Sequence, residues 1–153
     1  MLFAHEPDAD ATRVSSASED ILDAADKLTT LAEHHAGSER VHYVNVAGRN
    51  RMLSQRIVKL FLFQDLADCA EAAQAQIDVS AAAFDANLDE LRRSGGSLPQ
   101  LVAQLDVVGQ QWARLMTVLA PSAERMRRTQ HVRLVLAKGG RLLRHVDTAV
   151  KLY

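Results

Sequence analysis

At 153 residues and 48% hydrophobic, the chain holds enough apolar material for one domain with a core of its own, and its length does not ask for two. Aromatics at 5%, with 7 glycines and 3 prolines, exclude the turn-rich, short-strand make-up of a sandwich or barrel and point to helices without a sheet. A net charge of −1 excludes a surface built throughout for nucleic acid or anionic lipid.

In chain order, the first helix is predicted at about 10–36. Val14, Ala17, Ile21, Ala24, Leu28 and Leu31 recur at helical spacing, and Gly37 follows as a natural C′ residue. This segment is acidic, with eight acids between Glu6 and Glu33 against Arg13 and Lys27. Residues 122–153 carry eight Lys and Arg against Glu124 and Asp147, so the two ends are expected to attract within one molecule or between copies. Ser38 then reads as an N-cap and Glu39 as a first-turn acid, opening a second helix that runs to about Phe63 or Ala67.

A third helix is marked by Ala70, Ala73, Ile77, Ala81, Phe84, Leu88 and Leu91 and ends in Ser94-Gly95-Gly96-Ser97. The break before it, near 65–70, rests on size: one helix from 39 to 93 would be about 80 Å long at 1.5 Å per residue, too long to pair with its successors. Ser97 is expected to cap a fourth helix with Pro99 in its first turn and Leu101, Leu105, Val108, Trp112 and Leu115 on one stripe. After Pro121-Ser122 comes a fifth, with Val135, Leu142, Val146 and Val150 as its apolar series and Gly139-Gly140 marking a kink or a close crossing.

The fold expected is therefore all-α: an antiparallel four-helix bundle over about 39–153, with an additional N-terminal helix in 1–37. Segments 18–32 and 139–153 share paired apolar positions, Ile21-Leu22 and Leu142-Leu143. Two amphipathic helices can agree this far by chance. Alternatively, the acidic helix ends a preceding copy of the same unit, and 38–153 is the complete one.

The informative stretch lies on the second helix, from Asn45 to Lys59. On a helical wheel of about 100° per residue, Val46, Leu53, Ile57 and Leu60 form a core stripe. Val41, Val44, Gly48, Met52 and Gln55 fall on the opposite side, with Arg51 at its margin. A helix with a second partly apolar stripe needs a second partner, and a glycine in its middle lets another backbone approach. The plainest partner is the same helix of a second copy, because two-fold dimers are the commonest assemblies. Two Arg51 side chains meeting across such a seam need an anion between them, and guanidinium suits planar oxyanions. The plainer alternative is a solvated basic face, in which Arg49, Arg51, Arg56 and Lys59 pair with nearby acids.

The run NVAGRNRMLSQRIVKLF resembles the motif region of PilJ-type sensor domains. It is also similar to the Asn-x-Ala-Gly-x-x-Arg-Met-x-x-x-Arg pattern of nitrate/nitrite sensor kinases. Asn45, Ala47, Gly48, Arg51, Met52 and Arg56 fill the fixed places, and Trp112 and the closing VDTAVKLY suit the family, so the resemblance covers about 40–153. It implies a four-helix sensor bundle that dimerises through its first helix, on which the second stripe offers Val41, Val44, Gly48, Met52 and Gln55. A small anion such as nitrate or nitrite would sit at the seam, held by Arg51 and by Gly48 backbone, with Arg56 and Asn45 in support. Arg49 and Ser54-Gln55 follow the PilJ-type branch rather than the nitrate kinases. The resemblance further implies a periplasmic location and membrane attachment only through segments outside this chain.

Read without the resemblance, the chain is a soluble one. No stretch approaches the ~20 apolar residues that span a bilayer, and MLFAHEPDAD has neither a basic start nor an apolar run. It is either a cytoplasmic protein or a piece of a longer exported or tethered one.

Other chemistry finds little support. The single Cys69 allows no internal disulfide and no thiolate zinc site. His34, His35 and His42 lack the spacing of a metal set, and no metal or cofactor is expected. The basic run Arg125, Arg127, Arg128, His131 and Arg133 has no aromatic interleaving, so it is read as a solvated face, with no nucleic-acid partner. No phosphate loop, nucleophile elbow or triad spacing appears, which argues against an enzyme. Trp112, Met52 and Met116 are assigned to the core. Two functions remain open: a sensor of a small anion at a homodimer seam, or a structural or partner-binding bundle with no small ligand.

Overall fold

A computed structural model describes residues 7–64, 70–95, 98–120 and 128–153. Among these residues five helices follow one another: α1 (Pro7–Ala36), α2 (Glu39–Phe63), α3 (Ala70–Ser94), α4 (Pro99–Leu119) and α5 (Arg128–Leu152). No strand occurs among the described residues. Gly37 ends α1 with a left-handed φ of 59° and returns its N–H to the Glu33 carbonyl at 3.1 Å, as a C′ glycine should. Ser38 occupies the N-cap of α2 in extended geometry, yet its side chain makes no cap bond; the acid expected beside it, Glu39, is in the first turn. Leu98 is the N-cap of α4 and Pro99 begins the helix. Ser97, Cys69, the 65–69 break and the 121–127 connection lie outside the described residues.

Helices α2 to α5 close an up-down-up-down bundle in which each packs on its sequence neighbour and α5 returns to α2. The antiparallel sense is visible in the cross-links. Gln64 donates to Gln74 at one end of α2 and α3, while Asn87 donates to Asn50 further along. Gln104 donates to the His145 carbonyl between α4 and α5, and Tyr43 of α2 stacks on Tyr153 at the end of α5.

The core is the set that helical periodicity marks. Val46, Leu53, Ile57 and Leu60 of α2 are buried with Ile77, Phe84, Leu88 and Leu91 of α3. Leu101, Leu105, Val108, Trp112 and Leu115 of α4 meet Val135, Leu142 and Val146 of α5. Phe84 is fully buried and lies flat on Trp112, ring centroids 4.0 Å apart at 17°. Met52 and Met116 are half-buried at its margin.

Among the described residues, Asn50, Ser54 and His131 enter this core with partners, Ser54 donating to the Arg51 carbonyl at 2.7 Å. Asn50 donates to the Phe84 carbonyl at 3.3 Å and accepts from Asn87 at 3.0 Å, so the buried amide is bonded on both sides. His131 is buried, edge-on to Phe61, with Nε2 2.6 Å from the Val118 carbonyl. The basic run is therefore not one solvated face. Arg128 stacks over the Phe61 ring at 4.4 Å and donates to its carbonyl, and Arg133 is the exposed one. Arg125 and Arg127 lie outside the described residues.

The glycine pair in α5 marks a close crossing, and only one of the two makes it. A Cβ built on Gly139 would stand 2.7 Å from Val58 Cγ2, whereas one on Gly140 would meet only the tip of Arg144 at 3.9 Å. Val58 is buried and stiff about χ1. Gly139→Ala is expected to lower stability by about 1–3 kcal/mol through overpacking. Gly140→Ala should raise it by roughly 0.5–1 kcal/mol through helix propensity. Urea unfolding of the two variants checks the contrast.

Helix α1 stands outside the ring and packs chiefly on α2. The stripe that defines it in the sequence is not a core stripe. Val14 is 61% exposed, and Ile21, Leu28 and Leu31 are each 69% exposed. What holds α1 is its other side, where acids at intervals of seven meet α2. Glu19 pairs with Arg56 and Lys59, Asp26 with Arg49, and Glu33 with His42 and Asn45. Among the described residues, Glu19, Asp26 and Glu33 of the acidic segment thus find their counter-charges on α2.

Candidate functional site

The second stripe of α2 faces a groove of about 680 Å³ walled by α1 on one side and the end of α5 on the other. Val41, Val44, Gly48 and Met52 lie along it, with Leu22, Ala25 and Ala32 from α1 and Val150 from α5. A second depression of about 440 Å³, sharing Gly48, Arg51 and Met52, continues toward Gln55, Arg56 and Lys59. Part of the partner that this stripe needs is therefore α1 of the same chain. Gly48 keeps its open side, since an added Cβ there would meet nothing within 4 Å.

The motif residues share this place, but their side chains are engaged differently. Arg49 turns to the α1 wall, donating to Asp26 at 2.7 Å and to Thr30 at 2.6 Å. Arg51 turns to the α5 wall, where Nε lies 2.7 Å from Asp147 Oδ1, and its side chain is still 58% exposed. Arg56 is three-quarters buried against Glu19, and its Nε is buried with no hydrogen-bond partner among the described residues. Asn45 donates to Glu33. Ala47, the fixed small residue between them, is buried in the core. The helical wheel thus placed Gly48 and Met52, with Arg51 at their margin, on one open surface, and the motif resemblance added Asn45 and Arg56, which lie at its two ends. It did not find their counter-ions, Asp147 and Glu19, which come from distant helices.

At the other end of the groove, His42 is clamped between two carboxylates. Nδ1 faces Glu33 of α1, and Nε2 lies 2.6 Å from Glu90 of α3. The hydrogen bond to Glu33, then that to Glu90, raises the imidazole pKa above its ordinary value, against a smaller opposing effect of burial. The hydrogen bond from His42, followed by that from Asn45, holds the Glu33 carboxyl below its ordinary value. Linkage fixes the signs. The His42 contribution is complete below about pH 6.5 and is lost as pH rises through the folded-state value. The Glu33 contribution is complete above about pH 4.5 and is lost as pH falls through its own. Attachment of α1 is therefore expected to be firmest between about pH 4.5 and 6.5 and to loosen toward alkaline pH, by under about 1 kcal/mol because His42 is 40% exposed and its ion pairs are screened by solvent. Melting curves of wild type and His42→Gln from pH 5 to about pH 8.5 should converge at the alkaline end. Curves that stay parallel would deny His42 this part.

Among the described residues no group of three or more His, Cys, Asp or Glu could hold a metal ion, and no helix is long and apolar enough to cross a membrane. No curated protein and no solved structure matches the chain. One family model does, over more than half of the chain, and its span takes in α2, α3, α4 and the first part of α5 while leaving nearly all of α1 outside. The family is one of signalling domains of the sensor type and not a known enzyme family. With residues 35–138 matching the model described as the type IV pili methyl-accepting chemotaxis transducer N-terminal region, PilJ, the chain belongs to that family.

Proposed function

We propose that this chain is the ligand-sensing module of a bacterial signalling system, working outside the cytoplasm, and that it takes a small planar anion, nitrate or nitrite in kind. Arg51 is the principal ligand, Gly48 supplies backbone contact, and Arg56 and Asn45 support them. A second copy closes the site across the α2 stripe of Val41, Val44, Gly48, Met52 and Gln55.

The observation that carries this reading is the convergence of Gly48, Arg51 and Met52 on one open surface in a chain of a sensor family. Of the motif arginines, Arg49 and Arg56 are held by acids of α1, whereas Arg51 is the exposed one with a single carboxylate beside it. An anion arriving at Arg51 exchanges with Asp147, and a two-fold seam would offer it two guanidinium groups at once. Such binding would bias the packing of α2 against its neighbours, which is what a sensor needs. The structural-bundle reading has its own support: Arg49, Arg51 and Arg56 are each already paired within the chain.

Titration with nitrate separates the two. A ligand of the folded state stabilises it by about 2.7 kcal/mol at a hundred times its Kd, so the melting temperature should climb with nitrate and not with equal chloride. No heat and no shift at millimolar nitrate would leave the structural bundle in its place. Gly48→Leu reads the seam: the space over Gly48 accommodates a side chain in the monomer, so a smaller assembly than wild type in sedimentation would report the interface and not misfolding.

A further inference from the structure

We propose that the outward face of α1 is a docking surface for α1 of a second copy, paired antiparallel. The contact goes beyond the anion site and lies on the far side of α1 from the α2 groove.

Helix α1 is written in sevens on both sides. Its acids Glu19, Asp26 and Glu33 recur every seven residues and fasten it to α2. At about 100° per residue, the stripe of Val14, Ala17, Ile21, Ala24, Leu28 and Leu31 lies on the opposite side. Those six positions alternate three and four residues apart, the a and d spacing of a two-stranded coiled coil. All six are exposed. An acid ladder at the back and a heptad seam at the front make one helix with two partners, of which the chain supplies one.

The occupant and its direction follow from size and charge. If two copies of α1 cross antiparallel with Ile21 opposite Ala24, the same register sets Ala17 opposite Leu28 and Val14 opposite Leu31. Every alanine then meets a large side chain of the other copy, and the layers fill evenly. A parallel, in-register pair would put Ala17 on Ala17 and Ala24 on Ala24, leaving two thin layers. Charge selects the same way. The flanking positions on one side of the stripe hold Asp20 and Lys27, both exposed and with no ion pair among the described residues. The antiparallel register places Asp20 of each copy beside Lys27 of the other, two opposite-charge pairs in one seam. In the parallel pair these residues face Ala25 and Ala32, which carry no charge.

Sedimentation at a series of concentrations up to about 200 µM, where a contact of micromolar strength is populated, tests the surface. Leu28→Glu, at a position 69% exposed, should remove this contact and leave only the smaller assembly held by the α2 stripe, while nitrate binding stays as in wild type. Lys27→Asp should weaken it roughly tenfold by setting like charges together twice, and Asp20→Lys/Lys27→Asp should restore it. Direction is read by cross-linking in a Cys69→Ser background: a mixture of Val14→Cys and Leu31→Cys chains should form the mixed disulfide, and Ala24→Cys should not link to itself. Leu28→Glu associating like wild type, or association lost in Gly48→Leu alone, would overturn the surface. Self-linking of Ala24→Cys without the mixed disulfide would overturn the antiparallel pairing.

Discussion

Replacing Phe84 with alanine is expected to destabilise the bundle by about 3–5 kcal/mol, the range for a buried aromatic removed from a packed core. Among the described residues Phe84 is the largest fully buried side chain, and its ring lies on Trp112 of α4 while its own helix packs on α2. Three helices therefore lose contact at once. The polar neighbours make the site less able to collapse. Trp112 is held by its Nε1–H, which donates to Asp85 at 2.7 Å, and Asn50 is held by its bond to the Phe84 carbonyl. Neither can slide into the void without giving up a hydrogen bond, part-buried for Trp112 and buried for Asn50. Against a total stability of about 5–15 kcal/mol for a domain of this kind, the variant should unfold at much lower urea. Phe84→Leu keeps most of the volume and should recover more than half of the loss. Equal destabilisation by the two would mean that ring stacking, not volume, holds the layer.

The core was legible because burial and helical period are one and the same signal for a helix covered on a single face. Leu101, Leu105, Val108 and Leu115 of α4 show this plainly: the stripe in the sequence is the buried face. Helix α1 has as regular a stripe, and there the inference from period to burial fails. Periodicity states that a helix is two-sided; it does not state which side the rest of the chain covers. The side covered here is held by Glu19, Asp26 and Glu33, whose spacing of seven is itself readable, though their partners on α2 are not. Contacts between distant helices were likewise hidden. Asp147 beside Arg51, Glu90 beside His42, and Tyr153 donating to the Leu91 carbonyl at 3.1 Å all depend on how the bundle closes. The glycines divide in the same way: the sequence marks Gly139-Gly140 as a kink or a close crossing, and only the packing shows that Val58 meets the first of them.

Arg51→Ala is expected to weaken binding of nitrate or a related planar oxyanion by at least about a hundredfold while leaving the bundle folded. A hydrogen bond to a charged group contributes roughly 1.5–3 kcal/mol, and a two-fold seam loses two such groups with one substitution. The fold should tolerate the change because the side chain is 58% exposed and its one ion pair, to Asp147, is a surface pair that contributes about 1 kcal/mol or less. Arg49→Ala provides the contrast. It removes the bonds to Asp26 and Thr30 that fasten α1, so it should loosen that helix and change anion affinity little. Asp147→Asn sharpens the test further. In the unliganded chain Asp147 competes with the anion for Arg51, so removing its charge should tighten nitrate binding by several-fold if Arg51 is the ligand, on the order of the 0.2–1 kcal/mol of a surface pair. Calorimetric titration of the three variants decides the matter. Affinity lost in Arg49→Ala and kept in Arg51→Ala would move the site to the α1 wall of the groove, and an Asp147→Asn chain that binds no more tightly than wild type would separate Arg51 from the anion altogether.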